Sequence, residues 1–308
     1  MIANFFSKSK PATIFGIVVL MLTIYISALF KEEIKLITSF YILEKIGLLL
    51  VIVLFLFFYN FIIKKNKLTL DNSFGILIVV LFLGAFYETV LSYKLLLSNF
   101  MLLLSFRKMY SLHSGLETEL KIYDAAFWIG VATIFFSWSV LFLLLIYIGL
   151  FIFEKLSFKS LFIPLFGVAT PIVIFYSYFL IIDNQIGFYD YFNFQTSFDY
   201  SNYNSFKYLV PISFLLTLLL WSFFNVTQKI VLISNKLKFL WHLLISHLLI
   251  SIIIASLTPE KNGSELFFII FPASIIIANF FQKGKSKNFK NVLLYLFVVI
   301  VIGVHFFL

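Results

Sequence analysis

The chain has 308 residues, of which 62% are hydrophobic and 12% are charged, and its net charge is +9. The hydrophobic share exceeds the roughly 45–50% of an average soluble domain, and the charged share is about half the usual one. A soluble domain of this length could not bury so much apolar surface, which excludes a soluble enzyme, a disordered protein and a nucleic-acid-binding domain. The apolar runs are continuous rather than alternating, which also excludes an outer-membrane barrel. The composition therefore predicts a multi-pass helical membrane protein.

The first apolar run, 12–30, follows a short basic segment and so resembles a signal peptide. It is too long for the apolar part of a signal peptide, and no small-residue cleavage site follows it. We therefore predict an uncleaved first span. The chain has no cysteine, hence no disulfide framework and no thiolate chemistry.

Eleven apolar stretches are predicted to be membrane spans, in an all-α bundle. They are 12–30, 46–63, 74–90, 92–106, 122–136, 138–153, 161–182, 208–225, 239–257, 266–281 and 291–308. Two pairs have a second interpretation, since 74–106 and 125–153 could each form one long helix, which would give nine spans. For 125–153 we predict two helices with a turn near Ser137–Trp138. One helix of this length would extend about 43 Å, against roughly 30 Å for a bilayer core.

The basic residues predict the orientation. With eleven spans and a cytoplasmic N-terminus, 17 of the 23 basic residues lie on the cytoplasmic side and six lie outside. Basic residues concentrate on the cytoplasmic side of inner-membrane proteins, so the C-terminus is predicted to be outside. We expect residues 1–308 to form a single integral domain of the bacterial inner membrane, without a separate soluble domain.

The first outer loop contains two carboxylates between two ammonium groups: Lys31, Glu32, Glu33 and Lys35. A carboxylate beside an acceptor hydroxyl can act as a general base, and nearby cations can neutralise a phosphate. Glu32 and Glu33 are therefore the candidate catalytic residues, and the two lysines are candidate substrate ligands. The alternative is an ordinary solvated cluster of charges at a helix end.

Two further outer segments carry candidate binding residues. Thr258–Glu265 opens the tenth span, and a helix N-terminus together with Lys261 could hold an anionic head group. The alternative interpretation of this segment is an ordinary Asn-Gly turn.

The loop Asp183–Lys207 interleaves aromatic rings with Asp and Asn, which suits a sugar or a lipid head group. Its candidate binding residues are Tyr189, Asp190 and Tyr191. The alternative is a loop whose rings rest at head-group depth. We expect the three outer segments to line one outward-facing cavity.

Three other polar residues have structural interpretations. Asp124 is placed to cap the fifth span, where Ala126 and Gly130 form a small-xxx-small pair that permits close helix packing. Arg107 is interpreted as a basic anchor, as a ligand for a lipid phosphate, or as a cap for helix carbonyls. His247 heads a polar stripe that joins helices rather than moving protons. His242 lies five residues away and off that face, so no metal site is predicted, and no nucleotide-binding or hydrolase motif suggests a cofactor.

The segments Arg107–Met109, Ile122–Ser137 and Leu257–Phe281 resemble an uncharacterised family of polytopic bacterial inner-membrane proteins. The resemblance extends over the whole chain and implies no activity.

Shorter pieces resemble the GT-C class of glycosyltransferases, which use polyprenyl-phosphate-linked sugars. The small-residue helix 124–137 and Lys261 between Pro259 and Pro272 are similar to elements of that class. The resemblance implies a catalytic acid in the first outer loop, here Glu32 or Glu33. The loop is shorter than in the class, and its late basic motif has one lysine.

Two functions follow from these observations. The first is a protein that handles a lipid-linked envelope substrate, either an active glycosyltransferase or a degenerate relative, with membrane lipid or polyprenyl phosphate as its partner. The second is a non-catalytic scaffold that anchors an envelope protein complex. A transporter comes third, because charges deep within spans and paired broken helices are nearly absent.

Overall fold

The computed structural model describes residues 2–32, 38–192, 194–231, 235–259, 261–284 and 286–306. Helix is the regular structure of these residues, and no strand occurs among them. The predicted all-α class is confirmed.

The described residues form fourteen α-helices and four short 3₁₀ segments. The α-helices are α1 (Ile2–Phe6), α2 (Pro11–Lys31), α3 (Ser39–Asn66), α4 (Phe74–Ala85), α5 (Glu88–Leu91), α6 (Tyr93–Met109), α7 (Thr118–Phe135), α8 (Leu143–Ile152), α9 (Phe158–Ile181), α10 (Gln185–Tyr191), α11 (Phe206–Val231), α12 (Asn235–Leu257), α13 (Phe267–Lys283) and α14 (Lys287–Phe306). The 3₁₀ segments are Leu112–Ser114, Ser137–Phe142, Ser201–Asn204 and Ser264–Leu266.

Seven helices of the described part are long and apolar enough to cross a membrane: α2, α3, α9, α11, α12, α13 with the turn before it, and α14. The chain is therefore a multi-pass membrane protein by the length and composition of its helices. Shorter helices lie within the remaining predicted stretches, so each of the eleven contains helix.

Both pairs of predicted spans that could have formed one long helix are interrupted. Helix α7 ends at Phe135, and Phe136 is extended, with φ −149° and ψ 106°, before the 3₁₀ segment that leads into α8. The predicted turn near Ser137 is confirmed. The first pair is divided likewise, since α4 ends at Ala85 and α6 begins only at Tyr93. Glu88 lies between the two.

The chain divides into two compact units, each discontinuous in sequence. Unit 1 comprises Met1–Tyr93, Asp199–Leu232 and Lys261–Leu308, and unit 2 comprises Lys94–Phe198 and Ile233–Glu260. The expected single integral domain over 1–308 stays a prediction.

Unit 1 is built around α4 and α13, which are in contact with each other. Every residue of α4 is buried, and α2, α3, α11 and α14 surround the pair. Apolar side chains fill this core, and one polar link joins α3 to α13, where the Tyr59 and Ser274 hydroxyls lie 2.5 Å apart. The centre of unit 1 is therefore a buried helix, α4, packed against a largely buried one, α13.

Unit 2 is centred on the packing of α7 against α9. A β-carbon added to Gly130 would lie 2.6 Å from the Val168 carbonyl oxygen, and one added to Gly167 would lie 2.6 Å from the Ala126 β-carbon. Such distances leave no room for a side chain. The predicted close approach at Ala126 and Gly130 is thus confirmed.

Candidate functional site

Charged side chains from several segments of unit 1 meet where α4 breaks. We call this group the Glu88 cluster; its members are Lys31, Tyr87, Glu88, Lys207, Tyr208 and Glu265. They come from the end of α2, from α5 and the residue before it, from the start of α11, and from the 3₁₀ segment before α13.

Local packing fixes the break. A β-carbon on Gly84 would lie 2.7 Å from Val301 and 2.9 Å from Ile24, so the end of α4 packs directly against α14 and α2. Phe86 then leaves helical geometry, with φ −125° and ψ 67°. Breaking the helix leaves the Gly84 carbonyl without its usual partner, and the His305 ring accordingly lies with Nε2 3.0 Å from that oxygen. The carbonyl oxygen left free by the break therefore has the His305 ring as its hydrogen-bond partner. Tyr87 and Glu88 follow the break in the chain.

The centre of the cluster is an ion pair between Lys207 and Glu88. The Lys207 ammonium also donates to the Tyr87 hydroxyl at 2.8 Å, and the Tyr208 hydroxyl donates to Glu88 Oε1 at 2.9 Å. Both charged side chains are about four-fifths buried, at 21% and 18% exposure. A pair so shielded from water interacts more strongly than a surface pair.

A second ammonium group, that of Lys31, lies against the same Tyr87 ring as Lys207. Lys31 Nζ lies 4.9 Å from the centre of the Tyr87 ring, and Lys207 Nζ lies 4.5 Å from it. Lys31 donates to the Val304 carbonyl oxygen at 2.8 Å. The two ammonium groups repel each other, and Glu88 attracts both. The Tyr87 ring therefore has two ammonium groups beside it and one carboxylate, that of Glu88, acting on both, and an anion could bridge the two ammonium groups.

Glu265 adds a buried carboxylate. Glu265 is 1% exposed. Its carboxylate accepts hydrogen bonds from the backbone N–H groups of Asn262, Gly263 and Glu265 itself. Its Oε2 atom is buried without a hydrogen-bond partner among the described residues, as is Oε2 of Glu88. Buried acceptors that lack a partner are costly, so a ligand with donor groups would be bound favourably here.

The turn before Glu265 requires glycine. Gly263 has φ +86°, and a β-carbon there would lie 2.6 Å from the Phe86 ring. Asn262 Oδ1 accepts a hydrogen bond from the Ser264 backbone at 3.1 Å. The Asn-Gly turn expected from the sequence is therefore present, and it places Glu265 against α5.

Lys261 lies beside the cluster, joined to it by aromatic rings. It is 3% exposed, and its ammonium lies 5.0 Å from the centre of the Tyr200 ring. The Tyr200 and Tyr203 ring centres are 6.2 Å apart, and those of Tyr203 and Tyr208 are 5.7 Å apart. Burial lowers the pKa of Lys261, because the charged ammonium loses water.

The predicted catalytic pair is only partly described. Glu32 accepts hydrogen bonds from Lys45 at 2.7 Å and from the Tyr41 hydroxyl at 3.1 Å, so it ties α2 to α3. Its carboxylate thus has structural partners of its own. Glu33 and Lys35 lie outside the described residues.

Of the predicted substrate ligands, Lys31 and Lys261 lie in or beside the Glu88 cluster, whereas three others belong to unit 2. Tyr189, Asp190 and Tyr191 are exposed residues of α10. The Tyr191 ring packs on Phe175 of α9, with centres 5.1 Å apart, and its carbonyl oxygen accepts from Ser137 at 2.9 Å. In this unit α10 therefore ties α9 to the break after α7.

The remaining predicted residues also lie in unit 2. The capping role predicted for Asp124 is wrong, because α7 begins at Thr118, six residues earlier; Asp124 instead pairs with Lys108 of α6 at 2.5 Å. Arg107 is half-buried in the last turn of α6. His247 of α12 is fully buried, its Nδ1 atom lies 3.2 Å from the Tyr110 hydroxyl, and its ring centre lies 4.2 Å from that of Phe106 of α6, so it contacts a second helix.

The sequence alone indicates an interface turn at Glu88 and places Glu265 at the end of the segment Thr258–Glu265, and it assigns neither acid a functional role. Both are acids at the edges of apolar stretches, a position that by itself marks a functional candidate in a membrane protein. Among the described residues no group of three or more His, Asp or Glu side chains could hold a metal ion.

Comparison with known proteins assigns a family. Over residues 1–308 the chain matches the family of unknown function DUF6427, and it belongs to that family. No curated protein and no solved structure matches it. The resemblance to an uncharacterised family is thereby confirmed, and the GT-C resemblance stays a prediction.

Proposed function

We propose that this membrane protein binds the anionic head group of a lipid-linked envelope substrate in the Glu88 cluster. The observation that carries the proposal is the pair of ammonium groups, Lys31 and Lys207, on one tyrosine ring with one carboxylate between them. A phosphate would accept charge-assisted hydrogen bonds from both ammonium groups.

The rest of the cluster, together with Tyr200 and Tyr203 beside it, suits a sugar attached to that phosphate. The unpartnered Oε2 atoms of Glu88 and Glu265 can accept hydrogen bonds from sugar hydroxyls, and the buried Tyr203 hydroxyl, also unpartnered among the described residues, can donate one. The rings of Tyr200, Tyr203 and Tyr208 offer flat apolar faces beside these polar atoms. A polyprenyl phosphate carrying a sugar combines these chemical features.

The finer topology belongs to this proposal. We place eleven spans in the bacterial inner membrane, with the N-terminus cytoplasmic and the C-terminus outside, so that the Glu88 cluster faces the periplasm. The distribution of 17 basic residues on one side and six on the other supports it. A periplasm-active reporter fused after Leu308 should be active and one inserted at Lys285 inactive; the reverse would overturn the orientation.

A transferase of the GT-C kind would also need a carboxylate beside the acceptor hydroxyl. Glu265 is better placed for this than Glu32, since Glu265 has an unpartnered buried oxygen and Glu32 is held by Lys45. In a glycosyl-transfer assay with purified protein, Glu265→Gln should then abolish turnover, while Glu32→Gln should retain it. The opposite result would return the catalytic role to the first outer loop.

Binding tests the proposal without assuming catalysis. Purified protein in detergent should be stabilised against heat by undecaprenyl phosphate, and Lys207→Gln should weaken the apparent affinity about tenfold, as expected for one charge-assisted contact of about 1.4 kcal/mol. Lys94→Gln is the matched control, because Lys94 is exposed and outside the cluster. Equal affinity in all three proteins would refute the site, and co-purification of a stable envelope protein in its place would favour the scaffold.

A further inference from the structure

A second polar region of unit 1 lies where α13 and α14 are connected. Helix α13 ends at Lys283 and α14 begins at Lys287, and both helices are long and apolar enough to cross a membrane. A connection of three residues between two such helices must lie at the surface of the bilayer, in whichever direction the helices run. Any cavity beside it is therefore at the depth of lipid head groups.

Such a cavity is present. It has a volume of about 210 Å³, well above the roughly 10–15 Å³ that one water requires. Lys283 and Lys290 line it on one side, and Trp221 and Asn225 of α11 line it on the other. It is thus a space between three helices, with cations and an amide in its wall.

The helices that form this cavity provide no acid. The sequences of α11, α13 and α14 contain neither Asp nor Glu. Asp71 comes from the loop that hydrogen-bonds Gln282, and its carboxylate pairs with Lys64 at 3.7 Å. Lys290 is also repelled by Lys287. The cavity therefore concentrates positive charge, which an anionic group would relieve.

Aromatic rings flank the same cavity. Trp221 is 55% exposed, and its ring centre lies 6.5 Å from that of Phe289, which is 44% exposed; Phe280 is in contact with Phe289 at 6.5 Å. Phe289 is exposed at the start of α14 and Trp221 lies beside it within α11, so both rings are placed to contact the first carbons of acyl chains. A free phosphate ion would make no use of them.

We infer that the cavity between α11 and the α13–α14 connection is a binding site for an anionic phospholipid, with the phosphate held by Lys283 and Lys290 and the acyl chains along Trp221 and Phe289. The site is independent of the Glu88 cluster, since none of its residues belongs to that cluster. Gly284 permits it, because a β-carbon there would lie 3.0 Å from Lys290 Cε and displace that side chain.

The test compares lipids on the purified full chain. Delipidated protein is titrated in detergent with phosphatidylglycerol, phosphatidylcholine or inorganic phosphate, and retained lipid is counted by native mass spectrometry. We expect one phosphatidylglycerol to be retained. Lys283→Gln with Lys290→Gln should lower its affinity about 25-fold, roughly fivefold for each ammonium group lost near an anionic surface.

The matched control is Lys8→Gln with Lys65→Gln, which removes two charges outside the cavity and should keep wild-type affinity. Gly284→Leu is a second variant that keeps every charge, and it should lower retention by occupying the space. Equal retention of phosphatidylglycerol and phosphatidylcholine would overturn the inference. Retention of inorganic phosphate by the protein without retention of phosphatidylglycerol would overturn the lipid as the ligand.

Discussion

The seam between α7 and α9 in unit 2 and the Glu88 cluster in unit 1 hold their helices by opposite means. The seam is apolar and so tight that Gly130 and Gly167 touch the opposing helix with their backbones. The cluster is charged and leaves carboxylate oxygens of Glu88 and Glu265 without hydrogen-bond partners among the described residues. In a bilayer the hydrophobic effect contributes little to the association of helices, so close packing between helices stabilises the fold. A buried acceptor atom without a hydrogen-bond partner is a cost that a fold can retain for function.

The seam should be the more sensitive of the two to a change in volume. Gly130→Leu should destabilise the protein by about 3 kcal/mol or more, because the added side chain forces α7 away from α9. Gly47→Leu is the control, since a β-carbon at Gly47 meets nothing within 4 Å. Unfolding in detergent measures both, and a similar small effect in the two variants would contradict the close packing.

The cluster should respond to charge rather than volume. Glu88→Gln and Lys207→Gln should each lower the free energy of unfolding by about 1–2 kcal/mol. The loss is smaller than for breaking a fully buried pair, because both side chains keep about a fifth of their exposure. The double variant should cost clearly less than the sum of the two. A double-mutant cycle measures this coupling, and additive costs would show that the pair contributes no interaction of its own.

Much of the seam could be predicted from sequence. Its small residues recur at a fixed spacing on one helix, and the break after Phe135 follows from an apolar run too long for one crossing. Patterns of this kind involve residues close in sequence, so the helix geometry alone predicts where the residues lie.

The cluster could be predicted only in part. Lys31 and Lys261 were found because they are charged residues in outer segments, but the link of Lys207 to Glu88 joins residues 119 positions apart. Asp124 was misplaced for a related reason, because α7 extends beyond its apolar part to Thr118 and so moves the helix start away from the acid. Long-range pairing and polar helix ends leave no periodic signal in the sequence.

The smallest predicted effect concerns pH. Burial lowers the pKa of Lys261 below its ordinary value of 10.5, so between the lowered value and 10.5 the unfolded chain binds the proton and the folded chain does not. Stability must then rise with pH through that window. Comparison of unfolding curves should show a rise that is larger in the wild type than in Lys261→Met, by about 1 kcal/mol or less. An identical pH dependence of the two proteins would show that Lys261 is not desolvated.

The most direct test of the Glu88 cluster as a head-group site is photo-crosslinking. A polyprenyl phosphate with a diazirine next to the phosphate would be added to the purified protein, irradiated, and the labelled peptides identified by mass spectrometry. We expect labels within 84–90, 199–208 and 261–266, reduced in Lys207→Gln and unchanged in Lys94→Gln. Labels confined to α7 and α9, or labels at the cluster that persist unchanged in Lys207→Gln, would contradict this expectation.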